Sequence, residues 1–431
     1  MIARKARAVV MTLAVSCALA ACVSAPAELR PPARVTYWES IAALEADQAV
    51  AFASSPEQRA FATALRSMMA GQIGEAEQSF FRLKNTGRDS VIRLASRIIY
   101  TAALQYQDKW TELAAAVKSD GKVRTDLADR AGIEAWALAF RGIPQKSFKF
   151  GAQSVELPIT VSSVGTPLVP VKVGRRVYHF WLDTGSSMTM LASDVAEELR
   201  LVPITHDSLE IVTSTGRVSA VPALLPEIGL GLLAVRNVPT MIVHESLMQM
   251  KELKPGARTP PIKIDGIIGF DIIRQLDIEV DYGERSVRIR EPGRRGREGT
   301  AQRNMFWVGM PVVRVQSRGG LPLHFGLDTG AQLTFVTETL LDKLQIQAPR
   351  IENRRIGGLG GEISLRTAVL PDLRVSVRGH PIIFRGAVVR APVYQVLASL
   401  DGVLGSDVWN SGIVRMDMTN GMFTVRASQH D

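Results

Sequence analysis

The sequence predicts a multidomain protein in which an N-terminal all-α domain of helical hairpins precedes two mainly-β lobes. Apolar residues recur at helical spacing from about residue 37 to residue 146. From about residue 150 the pattern changes to short apolar runs punctuated by Gly and Pro, which is typical of strands. This β-rich region also repeats its own order of motifs, which indicates a duplicated unit. A chain of 431 residues is too long for one ordinary domain, in agreement with this division.

Residues 1–21 have the pattern of a bacterial export signal. Arg4, Lys5 and Arg7 precede the apolar run 8–21, which is long enough for a signal core and too short to span a bilayer comfortably. The run leads into Cys22 through Leu-Ala-Ala, which resembles the lipobox of bacterial lipoproteins. The resemblance implies cleavage before Cys22 and a lipid anchor on its thiol. The alternative is a plain secretory signal in which Cys22 is incidental.

Cysteine usage agrees with export. Cys17 would leave with the signal, so the mature protein would have no free thiol and no disulfide. Residues 22–36 are rich in Pro and Ala and are expected to form a tether. We therefore expect a lipid-anchored protein on the periplasmic side of the envelope. Lipoproteins that stay at the inner membrane often carry Asp directly after the lipidated cysteine; this chain has Val23 there, which favours the outer membrane.

The helical domain is predicted over residues 37–146. Apolar positions indicate one helix around Phe61–Met69 and a second around Ala76–Leu83, with Gly71–Gly74 between them. Further helices are expected at 89–105, 109–118 and 125–140. The pairs resemble tetratricopeptide-type hairpins, although an ordinary helical domain is an equal alternative. We assign no chemistry to these helices, and a protein partner is a possible role for them.

The β-rich region divides into lobe 1 at 150–291, a Gly- and Arg-rich linker at 292–304, and lobe 2 at 305–428. In lobe 1 a Gly-Thr-Pro segment leads to Asp183-Thr184-Gly185, and in lobe 2 a Gly-Met-Pro segment leads to Asp328-Thr329-Gly330. Each half then ends in Asp-Gly followed by two apolar residues and Gly. Because both motifs recur in the same order at similar spacing, chance is not a reasonable explanation.

These motifs resemble the retropepsin-like aspartic peptidases, and their duplication in one chain is similar to the pepsins. The resemblance covers about residues 157–425 and implies a pepsin-like bilobal acid-protease fold. It implies that Asp183 and Asp328 form the catalytic pair of an envelope endopeptidase acting on a polypeptide substrate. Two carboxyl groups so close share one proton, so one acts as general base on a water and the other donates to the scissile carbonyl. One chain supplies both groups, so a monomer would suffice.

The resemblance also assigns supporting residues. Glycine lets the two loops approach each other, and the two threonines would hydrogen-bond across the lobe boundary. Ser186 follows the first triplet whereas Ala331 follows the second. A serine hydroxyl can stabilise a carboxylate, so we expect Asp183 to be the ionised partner and the pH optimum to be less acidic than that of pepsin. The catalytic-loop support comprises Thr184, Gly185, Ser186, Thr329 and Gly330.

Lids over the site are expected in both lobes. The Gly-rich segment 356–361 closely resembles the flap of retroviral enzymes, and 214–216 lies at the equivalent distance after Asp183. The apolar-apolar-Gly segments would pack beneath the catalytic loops as sub-site strands. The flap residues are Ser214, Thr215, Gly216, Gly357, Gly358, Leu359 and Gly360, and the sub-site strands are Ile267, Ile268, Gly269, Val403, Leu404 and Gly405.

Other functions have weak support. The histidines lack ligand spacing, so we expect no metal and no cofactor. His179 and His324 occupy matching positions and are expected on strand surfaces; Asp265 and Asp401 precede Gly and are expected to serve turns. The net charge of +9 comes without an aromatic-interleaved basic face, so no nucleic-acid partner is expected. Two alternatives remain: an inactive peptide- or partner-binding module using the same cleft, and a functional helical domain on a β scaffold.

Overall fold

The computed structural model describes residues 36–119, 130–162, 165–205, 207–250, 261–293, 303–346, 350–391, 398–408 and 412–427. The expected signal, Cys22 and nearly all of the tether lie outside these residues, as does most of the linker 292–304. Residues 36–431 form one compact unit. Among the described helices, none combines the length and the apolar character that a membrane crossing requires.

The described part of the N-terminal domain contains seven helices. Asp89 caps the helix that follows it by accepting hydrogen bonds from the backbone of Val91 and Ile92, and Ser55 caps its own helix ahead of Pro56. The predicted helix pairs are present, with the break between the first two at residues 70–72. The helices are α1 Tyr37–Ala42, α2 Ala46–Phe52, α3 Pro56–Met69, α4 Ile73–Thr86, α5 Ser90–Tyr106, α6 Trp110–Ser119 and α7 Arg130–Ala139.

Lobe 1 is built on a strongly curved sheet of nine strands, with the order β1-β9-β6-β12-β5-β4-β8-β7 and β3 beside β4. Pairing of β8 with β9 closes one side of the sheet. The strands are β1 Ser147–Phe150, β3 Thr160–Val161, β4 Pro167–Val173, β5 Arg176–Leu182, β6 Thr189–Ala192, β7 Leu209–Val212, β8 Arg217–Leu230, β9 Leu233–Val243 and β12 Gly266–Ile268, with a separate hairpin of β10 Gln249–Met250 and β11 Ile262–Lys263. Short helices α8 (Ser193–Glu198) and α9 (Phe270–Ile273) follow β6 and β12.

Lobe 2 has a ten-stranded sheet with the order β19-β20-β23-β18-β24-β17-β16-β21-β22 and β15 beside β16. Its strands are β15 Met305–Trp307, β16 Pro311–Ser317, β17 Pro322–Leu327, β18 Phe335–Val336, β19 Arg350–Gly358, β20 Gly361–Val369, β21 Leu373–Val377, β22 His380–Phe384, β23 Val388–Val389 and β24 Gly402–Leu404. Helix α10 (Glu338–Leu344) follows β18, and a 3₁₀ turn at Ser406–Val408 follows β24.

The duplication predicted from the motifs is visible in the strand pairing. In lobe 1, β12 lies parallel to β5 and antiparallel to β6; in lobe 2, β24 lies parallel to β17 and antiparallel to β18. Each apolar-apolar-Gly motif therefore supplies the strand beside the one that carries its Asp-Thr-Gly triplet. The structure confirms the predicted fold class of a helical domain followed by two mainly-β lobes.

One sheet crosses the boundary between the lobes. Strands β2 (Ser154–Pro158), β14 (Ser286–Arg290) and β13 (Asp277–Asp281) come from lobe 1 and join β25 (Gly412–Asp417) and β26 (Met422–Ala427) of lobe 2. The central pairing is β13 with β25, in antiparallel register over five residues of β13. This sheet fixes the two lobes relative to each other through main-chain hydrogen bonds.

The helical domain packs against both lobes. The Tyr106 ring at the end of α5 lies 4.4 Å, between centroids, from the Trp307 ring of lobe 2. Asp108 accepts hydrogen bonds from Lys146 (2.7 Å) and from Arg274 of lobe 1 (3.1 Å), and all three side chains are nearly fully buried. Burial opposes ionisation of Asp108, but the two cations outweigh it and lower the pKa of this carboxyl.

Candidate active site

Two loops carry the Asp-Thr-Gly triplets, one after β5 and one after β17. The Asp183 amide donates to the carbonyl of Ile268 (3.0 Å), and the Asp328 amide donates to the carbonyl of Leu404 (3.1 Å). The two contacts are equivalent by the internal repeat. Strands β12 and β24 therefore hold the loops in place. Of the predicted sub-site residues, these strands contain Ile267, Ile268, Val403 and Leu404, while Gly269 and Gly405 follow the strand ends.

The side chains of Asp183 and Asp328 meet at the boundary between the lobes, close enough to share one proton. Each carboxyl also accepts from its own loop. Asp183 Oδ1 accepts from the amides of Gly185 (2.8 Å) and Ser186 (3.2 Å), and Asp328 Oδ1 accepts from the amides of Gly330 (3.0 Å) and Ala331 (2.9 Å). Each loop therefore holds Oδ1 of its own carboxyl through two backbone amides.

Glycine in the third position of each triplet is a steric requirement. A Cβ atom at Gly185 would lie less than 3.0 Å from all three atoms of the Asp328 carboxyl group, and one at Gly330 would lie equally close to the Asp183 carboxyl. Any larger residue would have to push the opposite carboxyl away. The glycines therefore permit the close approach of the two acids.

The two threonines connect the loops beneath the carboxyl pair. The Thr184 amide donates to Thr329 Oγ1 (3.0 Å), and the Thr329 amide donates to Thr184 Oγ1 (3.1 Å). The Thr184 hydroxyl donates to the carbonyl of Leu327, and the Thr329 hydroxyl donates to that of Leu182, each over 2.7 Å. Both threonines are 2% exposed. The cross-lobe hydrogen bonds expected from the sequence are thus present.

The environment separates the acidities of the two carboxyl groups. Burial raises the pKa of Asp183, while the amides of Gly185 and Ser186 oppose the rise. Burial also raises the pKa of Asp328, and the neighbouring charge of Asp183 raises it further, well above its ordinary value. The two carboxyl groups therefore titrate as a unit that shares one proton.

The expected role of the Ser186 hydroxyl is wrong. Its Oγ donates to the carbonyl of Met188 (2.7 Å), so the hydroxyl makes no contact with Asp183. Ser186 donates its backbone amide to the Asp183 carboxyl, and Ala331 donates its backbone amide to the Asp328 carboxyl in the same way. The contacts of each acid with its own loop are therefore equivalent in the two lobes, and Ser186 Oγ adds no difference between them.

Two further carboxyl groups lie behind the loops at equivalent positions. Asp271 accepts from Thr189 Oγ1 (3.0 Å) and faces Lys146 Nζ at 3.3 Å. Asp407 accepts from both the amide and the hydroxyl of Thr334, each over 2.8 Å, and no cation is paired with it among the described residues. Burial raises the pKa of Asp407 to about 6.

The predicted flap segments lie at the tips of two hairpins, β7–β8 in lobe 1 and β19–β20 in lobe 2. The tips touch, because Thr215 Oγ1 donates to the carbonyl of Leu359 (2.8 Å). Arg390, which follows β23, also holds the lobe 1 tip by donating from Nη2 to the carbonyl of Ser214 (2.6 Å). Gly360 has φ +94°, and a side chain there would press against Val218. Both flap segments therefore close over the same space, and both line the cavity beneath them.

The acids and histidines set aside in the sequence have structural contacts. Asp265 Oδ2 accepts from the amide of His179 in β5 (3.0 Å), and Asp401 Oδ2 accepts from that of His324 in β17 (2.7 Å), so both carboxylates contact a distant strand and not their own turn. His179 is exposed, but the expected surface position of His324 is wrong, because it is 2% exposed. Burial, followed by the charge of Arg314, lowers the pKa of His324 to about 3.

A cavity of about 890 Å³ contains both carboxyl groups and extends to the helical domain. Its lining includes the face of α5 that carries Ile98, Ala102 and Tyr106, in a helix to which we assigned no chemistry from the sequence. Nothing in the sequence signalled this role, because the amphipathic pattern of α5 fits packing against a core equally well. Within the described parts of the chain, no group of three or more His, Cys, Asp or Glu residues could hold a metal ion.

Comparison with known proteins agrees with this geometry. Residues 169–272 and residues 313–408 each match the sequence model of a family described as aspartyl protease. The two matched segments contain the two Asp-Thr-Gly triplets and the two apolar-apolar-Gly strands, one set in each lobe. No curated protein matches the chain.

Proposed function

Because both β lobes of this chain belong to the aspartyl protease family, we propose that the protein is an endopeptidase whose catalytic pair is Asp183 and Asp328. The observation that carries the proposal is the contact between these two buried carboxyl groups, one from each lobe. A pair that shares one proton supplies a base and an acid at the same place, which amide hydrolysis requires.

The geometry supports the following sequence. Asp183, as carboxylate, takes a proton from a water held between the acids, and the water oxygen bonds to the scissile carbonyl carbon. Asp328 donates its proton to the carbonyl oxygen, giving a neutral tetrahedral intermediate. The intermediate collapses as Asp183 passes a proton to the departing nitrogen and Asp328 recovers one from a hydroxyl group. The products are a carboxylic acid and an amine, with no covalent bond to the enzyme.

The closed hairpin tips support a lid function. Because the flap segments at 214–216 and 357–360 contact each other above the cavity, substrate enters only when they separate. Closure excludes bulk water and holds the peptide against the acids. The main-chain groups at the tips are the natural partners for the backbone of an extended peptide.

The cellular setting is a further part of the proposal. The signal pattern of residues 1–21 and the lipobox-like Cys22 support a lipid-anchored protein on the periplasmic side of the envelope, facing polypeptide substrates there. In cells fed a radiolabelled fatty acid, Cys22→Ser is expected to abolish labelling and release the protein from the membrane fraction. Equal labelling of both proteins would contradict the anchor.

The catalytic proposal is tested with a peptide library. The purified full-length chain is incubated with the library from pH 3 to pH 8, beside a double variant carrying Asp183→Asn and Asp328→Asn. We expect cuts by the wild type only, mapped by mass spectrometry. If the wild type binds peptides yet never cuts, the cleft is a recognition module and the endopeptidase proposal is wrong. Equal cutting by both proteins would mean that other residues, or a contaminant, perform the hydrolysis.

A further inference from the structure

The helical domain contributes one side of the cavity that holds the catalytic pair. Seven residues of α5 line this cavity, and all of them except the buried Ile99 follow the spacing i, i+1, i+4, i+5, i+8 and i+9 that marks a single helix face. These six are Arg97, Ile98, Thr101, Ala102, Gln105 and Tyr106. All six are only partly buried, in contrast to the core residues between them such as Ala103 and Leu104, which are fully buried. This face of α5 is therefore turned to open space inside the protein.

The exposed face is divided lengthwise into two rows. Ile98, Ala102 and Tyr106 form an apolar row, and the residues immediately before them form a polar row of Arg97, Thr101 and Gln105. Successive members of a row rise by about 6 Å. Alternate side chains of an extended peptide are separated by about 6.7 Å. The two repeats are close enough that an extended chain lying along α5 would place every second side chain against the apolar row.

The opposite sides of the cavity are also apolar. Lobe 1 contributes Met188 and Met190, and lobe 2 contributes Trp307 and Met310. Methionine adapts its shape to different side chains, so these walls suit apolar residues of varied size. A cavity of about 890 Å³ is at the upper end of the usual range for ligand sites, large enough for several side chains at once.

The position of α5 is fixed by buried contacts. Tyr106 packs against Trp307 of lobe 2, and the Arg274 guanidinium of lobe 1 lies 4.8 Å from the centre of the Tyr106 ring. Two residues further on, Asp108 binds Arg274 and Lys146, with all three side chains nearly inaccessible to solvent. Breaking a buried ion pair of this kind leaves an uncompensated charge, which is strongly unfavourable. The helix is thus a permanent wall and not a removable cover.

We propose that α5 is a specificity wall of the substrate cleft: its apolar row binds alternate apolar side chains of an extended polypeptide segment. This inference rests on the proposed endopeptidase function and adds to it a role for the helical domain. The recognised substrate is then a locally unfolded segment with apolar residues at every second position on the helix side. Recognition by α5 is separate from hydrolysis, so the two are tested separately.

The test compares substitutions on two faces of the same helix in the full-length chain. Ala102→Trp fills the apolar row, Ile98→Ala enlarges it, and Val91→Trp places the same large side chain at a position that is 54% exposed and outside the cavity. The substrates are peptides cut by the wild type, each varied at one position through Gly, Ala, Leu, Phe and Trp. The readout is kcat/KM for each peptide, with thermal unfolding as the folding control.

Ala102→Trp is expected to reduce cleavage of peptides that carry a large side chain against α5, because the new indole occupies the volume that this side chain needs. At one or more peptide positions, kcat/KM for the Leu, Phe and Trp peptides should fall by roughly tenfold or more relative to the Gly peptide. Ile98→Ala is expected to raise the relative rate for Trp at such a position, and Val91→Trp to keep the wild-type ranking. Wild-type rankings in both Ala102→Trp and Ile98→Ala would overturn the specificity wall. If Ala102→Trp does not fold, Ile98→Ala decides.

The same variants separate failure of this inference from failure of the proposed function. If the wild type cuts no peptide, the endopeptidase proposal fails, and the Kd values of fluorescein-labelled peptides are measured instead. If α5 is a specificity wall, the Kd values of the Leu and Phe peptides should be higher for Ala102→Trp than for Val91→Trp. Equal Kd values in the two variants would overturn the wall whether or not the protein cleaves peptides.

Discussion

Thr184 and Thr329 are linked reciprocally: the hydroxyl oxygen of each accepts the backbone amide of the other and donates to a carbonyl in the opposite lobe. Four hydrogen bonds therefore cross the lobe boundary directly beneath the carboxyl pair. Both side chains are buried, so water cannot replace a lost partner. The relative position of Asp183 and Asp328 depends on this link.

Removal of one hydroxyl from the link should destabilise the protein. Thr329→Val keeps the shape of the side chain but leaves the Thr184 amide and the Leu182 carbonyl buried without a partner. We expect the free energy of unfolding to fall by about 2–4 kcal/mol. Thr329→Ser retains the hydroxyl and should lose only about 1 kcal/mol for the missing methyl group. Urea unfolding of the two variants measures the difference, and equal losses would contradict the role of the hydroxyl.

A methyl group between the acids should abolish activity. In Gly185→Ala the new Cβ would lie less than 3.0 Å from the Asp328 carboxyl and force it out of position. Displacement by about 1 Å is enough to reduce kcat by about 10²-fold. Gly319→Ala in lobe 2 is the control, since the nearest atom to its Cβ would be 3.9 Å away. Comparable kcat values in the two variants would show that the close approach is not needed.

The pH dependence of cleavage should not depend on the Ser186 hydroxyl. Because Ser186 Oγ donates to Met188 and only the backbone amide reaches Asp183, Ser186→Ala removes no hydrogen bond from the carboxyl pair. We expect the pH profile of kcat/KM in this variant to overlay that of the wild type. A shift of the acidic limb by half a pH unit or more (roughly 0.7 kcal/mol) would mean that the hydroxyl turns toward Asp183 during catalysis.

Asp407 should make stability depend on pH. Its pKa is about 6 in the folded protein, above the ordinary value of 3.8, so the folded state favours the protonated form. This contribution to stability is fully present below pH 3.8 and is lost as the pH rises through 6, which amounts to about 3 kcal/mol. Asp407→Asn is neutral at every pH and still accepts from Thr334.

The variant should therefore be more stable than the wild type at pH 7 and similar to it at pH 4. Guanidinium unfolding at these two pH values, with Asp407→Asn beside the wild type, measures the effect. A constant difference between the two proteins across this range would show that Asp407 does not titrate there.

Local motifs made the β lobes predictable. The Asp-Thr-Gly triplets and the apolar-apolar-Gly strands are short segments whose residue types follow from steric needs, so their positions could be read from the chain. Helical periodicity likewise gave the hairpins of the N-terminal domain.

Contacts between distant segments were not predictable from one sequence. The pairing of β13 with β25 joins residues 277–281 to 413–417, and nothing in either strand specifies the other. The rotamer of Ser186 depends on the nearby Met188 carbonyl, which residue type alone does not reveal. The lining of the cleft by α5 has the same origin: an apolar helix face packs equally well on a core, and only the position of the lobes shows that it faces a cavity.

The central claim, that Asp183 and Asp328 share the acid–base chemistry, is tested most directly by the single variants Asp183→Asn and Asp328→Asn. Each is compared with the wild type in kcat and in peptide Kd on the best library peptide, with Asp265→Asn as the matched control at a turn outside the cavity. We predict that each of the first two lowers kcat by about 10³-fold or more while peptide binding persists, and that the control cleaves normally. Wild-type turnover in either Asp183→Asn or Asp328→Asn would contradict the account.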